Sequence, residues 1–167
     1  MKEKFGIALG LAAVLGLLAL LPFRRTDVAE LVPIEALVVA MEHDSVVVDG
    51  GECRGCGETW QTAWQDLLNS GNGTVFLGTA EQIVLVGAAV ELLPEVAWNE
   101  QLRPAAVVCV SPGPAPDVKE AAAYLGSHNG GVTLQQVRMA LLQERAIDLP
   151  VLVETEGGMR LYGTKNR

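Results

Sequence analysis

Cys53-Arg54-Gly55-Cys56 is the segment of this sequence with the clearest capacity for chemistry. A CxxC pair set between a strand and a helix suits thiol–disulfide exchange, because the positive end of the helix stabilises the attacking thiolate. The same two thiols serve equally well as a structural disulfide, or as two unreactive side chains in a glycine loop. Zinc asks for more. Cys109, His43 and His128 are scattered, so the second spaced ligand pair is missing.

Leu149-Pro150-Val151, ahead of a later strand, resembles in position the proline loop of thioredoxin-type enzymes. Three features weigh against that reading. The strands before the motif form a hairpin rather than a βαβ unit, no apolar residue precedes Cys53, and glycine stands before Cys56 where proline is expected. Other catalytic signatures do not occur: there is no G-x-S-x-G elbow, no GxGxxG and no phosphate-binding lysine loop. His128 lies in a Ser-His-Asn-Gly-Gly turn as a surface residue, and Glu81, Glu91 and Glu95 flank apolar runs singly as solvated groups. The expectation is therefore no catalytic set, no cofactor and no metal, with Cys53 and Cys56 as the alternative redox pair and Cys109 as a small core residue.

The elements that would position these groups follow from hydrophobic patterning. Ile34–Met41 and Ser45–Asp49 read as buried strands joined by a tight turn at His43-Asp44. Glu52–Glu58 reads as a glycine-punctuated loop. Thr59 then caps a helix over Thr59–Asn69, in which Trp60, Ala63, Trp64, Leu67 and Leu68 share one stripe. Val28–Leu31 suits a short helix, and Thr74–Leu77 and Gln82–Val86 suit strands, the second too apolar for an exposed edge. Ala88–Leu93 and Val96–Leu102 read as short helices separated by Pro94. Ala105–Val110 is a further strand, stopped by the proline-rich run Ser111–Pro116. Asp117 caps a helix over Val118–Leu125, Thr133 starts another, and Leu149–Glu154 and Met159–Tyr162 close as strands around Gly157-Gly158. The pattern predicts a mixed α+β domain, residues 26–167, with one central mixed sheet and several helices.

The rest of the chain has a different character. Of 167 residues, 20 are acidic and 12 basic, a formal charge of −8 with half of the residues hydrophobic. Such a chain buries enough apolar surface to fold, and it lacks the basic footprint that a nucleic-acid partner requires. Gly6–Phe23 holds eighteen residues without a charged or hydrogen-bonding side chain, between Lys2 and Lys4 on one side and Arg24 and Arg25 on the other. As a helix it spans roughly 27 Å, close to a bilayer's hydrocarbon core. It is longer than a usual signal-peptide core and ends in Pro22-Phe23-Arg24-Arg25 rather than at a small-x-small cleavage site. Residues 1–25 thus read as an uncleaved signal anchor that holds the chain in a membrane through residues 6–23. Beyond them, 8 basic and 19 acidic side chains leave −11 on residues 26–167. An anionic membrane surface repels that charge, so the anchor does the holding, and an extracytoplasmic placement fits.

The order of these pieces resembles the N-terminal domain of the spore-germination receptor C-subunit family, Ger(x)C. Asp27–Asp49 is similar to its opening strands, and Gly55-Cys56-Gly57-Glu58-Thr59-Trp60 to its glycine-x-glycine-x-threonine approach to a helix. Phe76–Gly78 and Gln82–Gly87 resemble its next strand pair, Arg103 precedes a similar strand, and Leu149-Pro150 and Leu161-Tyr162-Gly163-Thr164 resemble its closing strands. The family carries a lipobox cysteine where this chain has an apolar segment, and it has further domains; the cysteines at the helix start match nothing in it. The resemblance implies a non-enzymatic, membrane-anchored extracytoplasmic module that meets membrane-protein partners in germination or sporulation. It transfers no site residues.

Overall fold

Residues 31–71, 73–128 and 131–163 are described by the structure, a computed structural model. The apolar segment 6–23 and the first three residues of the helix expected over Val28–Leu31 lie outside them. Leu31 opens a strand instead, β1 (Leu31–Pro33). Pro33 explains the correction, because the residue before a proline is pushed away from helical backbone angles.

The expected hairpin follows as β2 (Ala36–Glu42) and β3 (Ser45–Asp49), paired antiparallel with Glu42 opposite Ser45. His43 and Asp44 make its turn with φ of 49° and 65°, a two-residue geometry that matches the strand twist. The glycine loop, by contrast, is a strand. β4 (Arg54–Gly57) pairs antiparallel with β3, and Glu58 and Thr59 lead directly into α1 (Trp60–Asn69). Thr59 caps that helix reciprocally: its hydroxyl accepts from the Thr62 amide, and Thr62 Oγ1 accepts from the Thr59 amide.

β5 (Thr74–Phe76) pairs in parallel with β1, and β6 (Gln82–Val86) is buried along its whole length. A 3₁₀ turn over Gly87–Leu92 runs without a break into α2 (Leu93–Ala97). Pro94, expected to separate two helices, stands in the first turn of α2, where its missing N–H leaves no helical bond unmade. The second helix expected there ends at Ala97. β7 (Val107–Ser111), α3 (Val118–Ser127), β8 (Val132–Thr133) and α4 (Leu134–Leu142) come next, with Asp117 and Thr133 capping the two helices as the sequence suggests. β9 (Val151–Thr155) and β10 (Gly158–Tyr162) form the closing hairpin.

The main sheet has the order β10-β9-β7-β6-β2-β3-β4, with β8 beside the start of β7. β2, β6, β7 and β9 run parallel, and each end of the sheet is extended by antiparallel hairpin strands. The fold is thus mixed α+β around a central mixed sheet with four helices among the described residues. One apolar cluster joins Leu37, Val39, Val48, Ile83 and Leu85 to α1, α2 and α4, and a second joins Ala36, Val38, Val84 and Cys109 to α3.

Candidate functional site

The two cysteines of the CxxC motif are not brought together. Side chains alternate across a strand, so Cys56 in β4 and Cys53, three residues earlier, project to opposite sides. Cys53 is buried in the larger apolar cluster, its Sγ 3.0 Å from where a Cβ on Gly71 would sit. Cys56 is exposed, and both thiols are free. Neither lies at the first turn of α1, which starts at Trp60.

The glycines of the motif have a packing role. A Cβ on Gly55 would fall 2.2 Å from the Ala63 carbonyl oxygen and the Leu67 nitrogen, and one on Gly57 would fall 2.3 Å from Thr62 Oγ1. The backbone of α1 therefore lies directly on β4, a contact no side chain permits. On the opposite face, Arg54 makes a bidentate pair with Glu42 at 2.8 and 2.9 Å, spanning β3 where Val47 is buried. Along the outer edge, the Cys56 amide donates to Asp66 Oδ2 of α1 at 2.9 Å.

Cys109 sits in β7 under α3, and burial pushes its thiol up to about 12. It stays protonated and unreactive at neutral pH. His43 lies in the exposed hairpin turn, and His128 caps the end of α3, its ring stacked at 4.0 Å on Tyr124 and its Nδ1 2.7 Å from the Tyr124 carbonyl oxygen. Among the described residues no three His, Cys, Asp or Glu side chains converge in a way that could hold a metal ion.

A groove lies between α1 and α2. Trp60 and Trp64, one turn apart, have ring centroids 5.0 Å apart and tilted, and Trp64 Nε1 donates to Gln101 Oε1 at 2.7 Å. Only 6% and 5% of these residues is exposed, so they form a floor. Trp98, directly after α2, is 50% exposed and stands as a wall. The space between holds about 450 Å³, and Gln61 and Gln65 of α1 face Pro94, Glu95 and Asn99 along its rim. Arg138 of α4 fixes the end of α2 by donating to the carbonyl oxygens of Ala97 and, at 3.0 Å, Asn99.

All three tryptophans of the chain thus meet in one open groove. The sequence pattern places Trp60 and Trp64 on a core stripe, where they are, and passes over Trp98. The available signal was scarcity: an aromatic-poor chain that concentrates its largest side chains in one place uses them there. Comparison of the chain with known protein families, curated proteins and solved structures finds no match.

Proposed function

We propose that this chain is a non-enzymatic docking module, held in a membrane by residues 6–23 with residues 26–167 on the extracytoplasmic side, and part of or related to a spore-germination or sporulation membrane complex. The observation that carries the docking reading is the groove, where a half-exposed tryptophan stands over an aromatic floor with amides along the rim. Aromatic residues in a shaped hollow are the usual anchors of protein recognition. The apolar segment with its basic flanks supports the membrane placement, and the Ger(x)C-like order of elements supports the germination context. Nothing in the geometry favours the thiol–disulfide alternative, since Cys53 is buried and Cys56 faces the other way.

Cys56 provides the test. It is exposed while Cys53 and Cys109 are buried, so a membrane-impermeant maleimide applied to intact cells should label the chain, and Cys56→Ser should abolish the labelling. Labelling only after permeabilisation overturns the extracytoplasmic placement. In a spore former, deletion of the gene should slow the response to germinants while spores still form, and Trp98→Ala should reproduce the delay. A wild-type response in both strains overturns the germination reading.

A further inference from the structure

The structure assigns a specific guest to the tryptophan groove: we propose that it receives an arginine-bearing segment of a partner protein, with the guanidinium stacked on Trp98 and its charge met by Glu95. This inference rests on the reading of the groove as a docking surface and names the chemistry of what docks.

Charge complementarity carries the argument. Glu95 supplies the one charge among the described residues that line the groove. The acid sits on a domain of charge −11 over residues 26–167, so the surrounding field also favours a cation. Arg138, which reaches the same end of α2, is engaged with the Ala97 and Asn99 carbonyl oxygens rather than with Glu95. Tryptophan is the best side-chain partner for a cation over its ring, and a half-exposed Trp98 offers that surface without rearrangement.

Arginine fits better than lysine. Its planar guanidinium stacks on aromatic rings and presents five donors, and the rim offers side-chain amide oxygens from Gln61 and Gln65 to accept them. Lysine would bring a compact charge that stacks poorly and remains strongly hydrated. A nucleic acid, which would bring aromatic bases to stack, also brings phosphates that Glu95 and the domain's charge repel.

The same placement of the tryptophans makes the groove readable by intrinsic fluorescence. Full-length protein in detergent micelles is titrated with an acetylated, amidated tetra-arginine peptide and with its tetra-citrulline counterpart, which keeps the planar shape but carries no charge and has three N–H donors in place of five. The arginine peptide should give a saturable change in tryptophan emission, with the citrulline peptide binding about tenfold or more weakly. Trp98→Ala should weaken arginine-peptide binding by about tenfold, followed by anisotropy of a labelled peptide, and Glu95→Gln should weaken it severalfold. Equal binding of the two peptides overturns the cationic guest while leaving a docking groove. Unchanged affinity in Trp98→Ala overturns the site, since the peptide then sits elsewhere on the acidic surface, and no saturable response to the arginine peptide overturns the proposal altogether. Membrane topology does not enter these readouts, so cytoplasmic placement of Cys56 would overturn the proposed function and leave the guest assignment standing.

Discussion

On one face of the sheet, Leu37, Ile83 and Leu85 share a cluster with Trp64, Leu67 and Leu134, and helices α1, α2 and α4 are needed to cover it. On the other, Ala36, Ala40, Val84 and Cys109 share a cluster with Val118, Ala121 and Leu125, and the single helix α3 lies over the centre. Large side chains hold a helix layer off the sheet and ask for several helices to fill the gap; small ones let one helix come close. The first face departs from its own rule at the edge, where Gly55 and Gly57 remove side chains altogether and α1 touches β4 backbone to backbone. The same helix carries Trp60 and Trp64, which line the groove shared with α2.

The contrast is most sharply broken at Gly55. Gly55→Ala places a methyl 2.2 Å from α1 backbone atoms that cannot rotate away, so the helix must lift. Overpacking costs typically about 1–3 kcal/mol and more where backbone must move, and here the loss should reach or exceed about 3 kcal/mol in urea unfolding, with a red shift in tryptophan emission as the groove opens. A loss below about 1 kcal/mol would mean that the face tolerates slack at its edge. On the second face, Ala121→Leu adds volume at a fully buried position of α3 and should cost about 2 kcal/mol without altering the emission, because no tryptophan lies on that side. An emission shift from this variant would show that the two faces are coupled through the sheet.

At neutral pH the smallest effect is a pH dependence confined to the second face, which shows only in alkali. Folding raises the Cys109 thiol from an ordinary value near 9 to about 12, so the neutral form is favoured in the folded state and the contribution is fully present below pH 9. It is lost as pH rises toward 12, at about 1.4 kcal/mol per pH unit for one proton. Cys109→Ala should be less stable at pH 7 and should show a shallower decline between pH 9 and 11. Parallel alkaline limbs in the two proteins would place the cause elsewhere.

Much of this architecture is legible in the residues, and the exceptions have physical causes. The β2–β3 hairpin and the caps Thr59, Asp117 and Thr133 depend on neighbours in sequence, and each stands where local pattern puts it. β4 does not, because Arg-Gly-Cys-Gly carries loop chemistry when read alone; its glycines make sense only against α1, which folds back on them. Pro94 alone looks like punctuation, yet a proline in a helix's first turn breaks nothing. The CxxC spacing suggested a pair, and strand periodicity separates it. The groove was hidden for a simpler reason: Trp98 reaches Trp60 and Trp64 through tertiary packing of an element distant in sequence, and no local window contains all three.

The hydrogen bond from the Cys56 amide to Asp66 also limits how copies of the molecule can add to one another. A terminal strand with free amides is a template for the next strand, and a sheet open at both ends can grow into a filament. Here a carboxylate of α1 takes one amide on the outer edge of β4, which makes that end of the main sheet a poorer template than β10 at the other end among the described residues. Strand addition to the main sheet is therefore biased toward its β10 end.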